Sequence, residues 1–289
     1  MANYIIYLFV SGLAFFIGAG MLVAGVGLSP LLRRRAGRIA GRSSVIAGLG
    51  LVWLSATPMP IWSFGALVVL TAIWLVAEAG QGRFGQRPLR VASCGMVVFI
   101  TGCVLSELPY HLRPRLPDLD ARTIYVVGDS ISAGVGPSGE VLWPEVLDRQ
   151  MPHEPVINLA RAGETCASAL SQARQVPERD AYVLVEIGGN DLLGRGGAAA
   201  LRRDLEALLR ELRRGDRALV MFELPLPPLD AEYGRIQRDL ARRYGVALIP
   251  KRYFACIIMT PADTLDGLHL SPRGRQRMAE TVADLLRDE

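Results

Sequence analysis

Two hydrophobic patterns divide the chain. Up to about residue 110, apolar residues run almost unbroken, interrupted by arginine clusters, a pair of prolines and one polar loop. From about residue 122, short β-branched runs alternate with stretches of helical period. A helix needs about 20 mainly apolar residues to cross a bilayer. The first such stretch, 4–28, carries no charge. It lacks a basic leader and is too long for the apolar core of a signal peptide, so it is expected to be a retained span. The next stretch is too long for one span and is broken at Thr57-Pro58-Met59-Pro60. Two prolines remove backbone donors and disfavour helix before each ring, which predicts a hairpin of spans over about 43–60 and 63–79. Both are short, and a re-entrant or interfacial pair is the alternative. A fourth span is expected over 91–108.

Residues 111–121 contain two prolines and read as a short stiff linker. Strands are predicted at 123–127, 155–159, 181–187, 218–224 and 246–249. Helices are predicted at about 140–151, 166–175, 198–214 and 229–243. A last helix starts near Pro272, with Ser271 as N-cap and proline at the first helical position. Strands alternating with helices imply a parallel sheet covered on both faces, so residues 122–289 are expected to form an α/β domain of about five parallel strands. Ligands of such sheets bind at the carboxyl ends of the strands.

Charge separates the two parts further. Eight arginines and two acids, Glu78 and Glu107, lie in residues 1–110, a net +6, so residues 111–289 are net −2 within a chain of net +4. The basic excess therefore belongs to loops flanking apolar runs, which is a topology signal rather than a nucleic-acid footprint. Arg33, Arg34, Arg35, Arg38 and Arg42 fall in one loop and Arg83, Arg87 and Arg90 in another, while the N-terminus and the 57–62 turn have none. Four spans with these loops in the cytoplasm deliver residue 111 onward to the outer side of a bacterial inner membrane, that is, to the periplasm. Val91-Ala92-Ser93-Cys94 is not a lipoprotein box, because the apolar stretch follows the cysteine. The bundle reads as an anchor, or as a device that presents a lipid or partner to the attached domain.

None of Cys94, Cys103, Cys166 and Cys256 has zinc-ligand spacing. Cys166 and Cys256 are expected as free thiols, a disulfide between them being the alternative in an oxidising compartment. Candidate chemistry gathers after the strands instead. Gly128-Asp129-Ser130 follows the first, and a serine at a strand-to-helix turn exposes its Oγ beside helix-start N–H groups. Gly188-Gly189-Asn190-Asp191 follows the third and places a carboxamide at the same edge, although such a tetrapeptide also suits a plain turn. Asp266 stands three residues before His269, the spacing at which a carboxylate can orient an imidazole. Gly163 follows the second strand and alone carries no signal.

Together, in this order, the four blocks resemble the SGNH, or GDSL-like, hydrolase family over residues 122–288. The resemblance is nearest to its bacterial thioesterase I, lysophospholipase and arylesterase branch, in which Trp143-Pro144 and Val185-Glu186-Ile187 also fit. It implies a three-layer α/β/α sandwich and a serine esterase without metal or cofactor. Ser130 would be the nucleophile, His269 the general base and acid, and Asp266 its support. The N–H groups of Ser130 and Gly163 and the side chain of Asn190 would form the oxyanion hole. The family usually has proline after the histidine, where this chain has Leu270, which puts the loop's shape in question. The expected substrate is an acyl ester or thioester, of a lipid or a glycan, at the membrane. A glycan O-deacetylase or acyltransferase, and a non-catalytic scaffold, are the competing readings. Nucleic acid is not expected as a partner.

Overall fold

The computed structural model describes residues 2–28, 35–120, 122–136 and 139–287. Arg33 and Arg34, part of the charge argument above, lie outside them. The chain divides into two compact units: Leu8–His111 with the segment Leu226–Ala231, and Leu112–Pro225 with Glu232–Glu289 and the residues up to Tyr7.

Helix α1 (Ala2–Val10) enters the first unit only from Leu8. The rest of that unit's N-terminal part is helical: α2 (Leu13–Leu28), α3 (Arg35–Leu54), α4 (Ile61–Ala79), α5 (Gln81–Phe84) and α6 (Arg87–Glu107), followed by a 3-10 turn, Leu108–Tyr110. The expected span over 4–28 is not one helix. It bends by 83° between α1 and α2, because Gly12 takes φ +85° and Ser11 Oγ accepts the Leu13 N–H, so the helical ladder cannot pass through. The second expected span begins earlier than residue 43, and α3 takes Arg35, Arg38 and Arg42 into its first turns. Only α4 and α6 are long and apolar enough to cross a membrane among the described residues; counting the bent pair as one span makes three, not the expected four. Helix α4 starts directly after Pro60, whereas α3 stops at Leu54, ahead of the expected break, with Ala56 at φ +49°. Within the unit, α2 and α3 meet backbone to backbone: a Cβ on Gly18 would lie 2.7 Å from the Gly48 carbonyl oxygen, and one on Gly48 2.7 Å from that of Gly18. Small residues at such crossings are how apolar helices associate where no hydrophobic drive separates them from lipid. Arg42 on α3 pairs with the buried Glu78 of α4.

The second unit is a sheet of five parallel strands, β1 (Thr123–Gly128), β2 (Val156–Asn158), β3 (Ala181–Glu186), β4 (Arg217–Phe222) and β5 (Ala247–Ile249), in the order β2-β1-β3-β4-β5. Helices connect them: α7 (Ser130–Ala133), α8 (Trp143–Gln150), α9 (Leu170–Ala173), α10 (Gly189–Leu193), α11 (Gly197–Leu212), α12 (Ala231–Tyr244), α13 (Lys251–Ile258) and α14 (Pro272–Arg287). Every residue of β3 and β4 is buried, as parallel strands covered on both faces must be. On one face Ile124, Val126, Tyr182, Leu184, Val220 and Phe222 pack under Trp143 and Leu147 of α8, Phe254 of α13 and Met278 and Val282 of α14. On the other, Val127, Val183, Val185, Leu219 and Met221 pack under α9, α11 and α12 through Ala173, Leu201, Leu205, Ile236 and Leu240. This is the expected three-layer sandwich. The chain leaves β1 for β2 on one side and returns to β3 on the other, so the sheet reverses its order at β1. That is where a parallel sheet opens a crevice.

The stretch read as a linker is docked, not a tether. Leu116 and Leu119 pack against the core under α14, Arg113 donates to the Asp284 carbonyl, and the Arg122 N–H closes a turn on the Leu119 carbonyl at 2.8 Å.

Candidate active site

Ser130 stands at the reversal point, first in α7. Asp129 ends the strand and caps the short helix, its Oδ1 accepting the Ile131 N–H at 3.1 Å. Because Gly128 pairs with Glu186 across the sheet, the turn after β1 lies beside the Ile187-Gly188 turn after β3.

His269 sits on a loop closed by a bridge between Thr264 and Leu270, with the Leu265 N–H donating to the His269 carbonyl at 2.7 Å. Asp266 Oδ1 accepts the N–H groups of Leu268 at 3.0 Å and His269 at 2.8 Å. That sharp turn needs Gly267 at φ +91°, a region L side chains avoid. Asp266 Oδ2 is then 2.6 Å from His269 Nδ1, and His269 Nε2 is 3.2 Å from Ser130 Oγ. The bond to the His269 side chain, then the two backbone N–H groups, hold the Asp266 carboxyl well below the usual carboxylate range. Leu270, in place of the expected proline, is buried in the core, so the departure leaves the loop closed.

Gly163 lies on the loop after β2, and Asn190 in the first turn of α10. The chain after β2 runs along the end of β1, with the Arg161 N–H donating to the Gly128 carbonyl at 3.2 Å; Gly163 has φ +80°. Asn190 Nδ2 donates to the Glu164 carbonyl at 2.8 Å, and the Cys166 N–H donates to Asp191 Oδ2 at 2.9 Å. The structure thus joins Ser130, His269 and Asp266 in one hydrogen-bonded chain and stitches the Gly163 and Asn190 blocks to each other. Neither Gly163 nor Asn190 hydrogen-bonds to Ser130. All four cysteines are free. Among the described residues, no group of three or more His, Cys, Asp or Glu is placed to hold a metal ion.

A buried polar layer beneath the serine escaped the sequence reading. Ser132, fully buried, accepts from Trp143 Nε1 at 3.1 Å and donates to Glu186 Oε2 at 2.8 Å, while Asn158 Nδ2 holds the Ser132 carbonyl at 2.9 Å. Burial pushes the Glu186 carboxyl well above the usual range, with Asp129 nearby adding to it. Trp143 and Glu186 were visible only as residues typical of a family branch, with no role attached.

Asp129 is lifted from 3.8 up to about 6, chiefly by burial, against the lowering effects of the Ile131 N–H and His269. A raised carboxyl pKa means that ionisation opposes folding: the penalty is absent below pH 4 and complete above about pH 6. Asn at this position keeps the cap without the charge. Asp129→Asn is therefore expected to stabilise the protein at pH 8 relative to wild type by on the order of 2–3 kcal/mol more than at pH 4. Thermal denaturation of both proteins at the two pH values checks this; a difference in Tm independent of pH would contradict it.

The family model for the GDSL-like lipase/acylhydrolase family matches residues 126–277. The chain belongs to that family. With it, the chain is a serine carboxylic ester hydrolase. The hydrolase is 28% identical over 174 residues to Esterase TesA of Pseudomonas aeruginosa, covering 56% of this chain and 86% of that protein. It is 30% identical over 177 residues to Thioesterase 1/protease 1/lysophospholipase L1 of Escherichia coli strain K12, covering 57% of this chain and 84% of that one. A crystal structure of TesA aligns with a TM-score of 0.50 at 26% identity, over 57% of this chain and 98% of that one. Apart from Leu226–Ala231, the residues matched by the family model lie in the α/β unit.

Proposed function

We propose that this hydrolase is membrane-anchored and cleaves apolar acyl esters or thioesters through a Ser130–His269–Asp266 triad. The observation that carries this is the unbroken chain from Ser130 Oγ through both imidazole nitrogens to the Asp266 carboxylate. In this reading His269 Nε2 takes the proton as Ser130 attacks the acyl carbonyl, then returns it to the leaving group. Asp266, anionic throughout, fixes the tautomer. The developing oxyanion is received by the N–H groups of Ser130 and Gly163 and by Asn190. The Asn190 amide has two hydrogens: one is donated to the Glu164 carbonyl, and the other, which reaches Asp129 Oδ2 only at 3.5 Å, turns to the oxyanion in this reading. Water then cleaves the acyl-enzyme with His269 as base.

An apolar acyl group is supported by exposed aliphatic residues that neighbour the site residues in sequence. Leu265 and Leu268 flank Asp266, Leu193 follows Asn190 and Val135 follows α7, and all four are exposed. Aliphatic side chains on site-bearing loops suit a hydrocarbon better than a sugar. The relatives named esterase and lysophospholipase agree.

Anchoring rests on α4 and α6, the two helices long and apolar enough to cross a membrane. The connection between them carries Arg83 in α5, and Arg87 and Arg90 lie in the first turn of α6. Positive charge kept inside sends α6 outward, so residue 112 onward faces the periplasm however many further helices cross. The proposed division is an anchor to about 110 and a hydrolase domain that begins with the docked segment at 112.

The test uses the full chain in detergent with a fluorophosphonate and a series of p-nitrophenyl esters from acetate to palmitate. A single covalent adduct on the Ser130 peptide and turnover rising by about tenfold or more from acetate to medium chains are expected, each buried methylene contributing about 0.8 kcal/mol. An adduct on another residue would sink the triad; turnover best on acetate would sink the apolar-acyl reading alone.

A further inference from the structure

The chain after Ser130 does not run directly into α8. It turns at Gly134, at φ +75°, and wraps around a single carboxylate, that of Glu140. Glu140 Oε1 accepts the Gly136 N–H at 3.0 Å, and a Cβ on Gly134 or Gly136 would lie 2.2 Å from its oxygens. The other oxygen pairs with Arg275 Nη2. Arg275 Nη1 also reaches the Val141 carbonyl at 3.4 Å. Both side chains are largely buried, Arg275 at 8% exposure and Glu140 at 17%, so the pair is shielded from the solvent that weakens surface bridges.

What this pair joins gives it meaning. Glu140 belongs to the segment that follows the serine, and Arg275 to the first turn of α14, six residues after His269. The neighbouring arginines of α14 act elsewhere. Arg277 pairs with the buried Asp263, and Arg273 Nε lies 3.1 Å from it, which fixes the histidine loop to its own helix. Glu140–Arg275 crosses from the serine side to the histidine side.

We propose that Glu140 and Arg275 are positioning residues whose ion pair sets the separation between Ser130 Oγ and His269 Nε2. This rests on the triad reading above. The energetic logic is that of near-attack geometry: a misplacement of about 1 Å at a reacting pair can lower the rate about 100-fold, and part of that is available to a clasp that holds two chain segments in register.

The experiment uses full-length protein in detergent, with E140Q, R275Q and the double variant. Gln at 140 keeps an acceptor for Gly136 and removes only the charge. For each variant, kcat and KM are measured on p-nitrophenyl butyrate, with the rate of Ser130 labelling by a fluorophosphonate and the Tm. Each single variant is expected to lose about tenfold in kcat and in labelling rate with KM within about twofold. The double variant should lose no more than the worse single one, since both break one link. Wild-type kcat in a folded single variant, a loss carried by KM, or losses that multiply in the double variant would each overturn the inference. Should the neutral variants fail to fold, E140D, which retains the charge but shortens the reach, is expected to lower kcat at wild-type Tm; full activity there overturns it. The triad reading fails separately, if wild-type protein shows no labelling of Ser130 at all.

Discussion

Replacing Ser130 by alanine is expected to lower ester turnover by on the order of 10⁶-fold, the scale seen when a triad nucleophile is removed. The side chain is small, half-buried and, among the described residues, bonded through its hydroxyl only to His269, so little else changes. The helix cap belongs to Asp129, and the core contacts of α7 to Ile131. The fold should therefore keep its Tm within a degree or two. Steady-state kinetics on a medium-chain ester, after extensive washing to remove wild-type carry-over, measures the loss. A residual rate about 10³–10⁴ above uncatalysed hydrolysis would report what the oxyanion donors and substrate binding contribute without a nucleophile. A variant retaining a tenth of wild-type activity would exclude Ser130 from covalent chemistry.

Asp266→Asn is expected to cost about 10⁴-fold in kcat with little change in KM, and the local bonding explains why. Asp266 Oδ1 accepts two backbone N–H groups, which an asparagine carbonyl can still satisfy. The amide nitrogen is then forced to the Oδ2 position, facing His269 Nδ1. Two donors cannot face each other, so Nδ1 becomes the acceptor and the ring carries its proton on Nε2. An imidazole protonated there cannot take the proton of Ser130. Labelling by a fluorophosphonate should slow in parallel, which separates a tautomer defect from lost substrate binding. The pH profile carries a sign as well. The Asp266 pKa is depressed, so its support for His269 is complete above about pH 4 and fades only as pH falls further, through the lowered value. An acid limb of activity between pH 5 and 7 therefore cannot come from Asp266.

How legible these features were depends on their range in sequence. All five strands were visible as short apolar runs bounded by turn residues, most plainly β3 and β4, which are buried on both faces. Ser130, Asp266 and His269 were visible because each stands in a short block at a strand end or before a helix. Glu140 and Arg275, 135 residues apart, carry no local mark. Nor does Ser132, and Glu186 stood out only as a residue typical of the family branch, because the meaning of both lies in their contact with each other. The break in the first apolar stretch was hidden for a different reason. Gly18, Gly20, Gly25 and Gly27 all sit inside α2, so glycine in this region does not distinguish a bend from a helix interior. The predicted helix over 166–175 contracts to Leu170–Ala173, because Thr165 and Ser168 bond to each other and Asp191 takes the Cys166 N–H. Helix α13 went unseen because it starts immediately after Pro250, with no stretch of polar residues to separate it from β5.

The docked segment before β1 decides what kind of search the enzyme performs. With Arg113, Leu116 and Leu119 held on the α/β unit, only His111 and Leu112 separate it along the chain from the 3-10 turn that follows α6. In the proposed membrane-anchored reading, an enzyme joined to its helices by so few residues does not sample the volume of its compartment. It sweeps a plane, and its encounters scale with molecules of ester per unit area of membrane. Diluting a substrate into more lipid at constant bulk concentration should then slow the reaction as surely as removing it from solution.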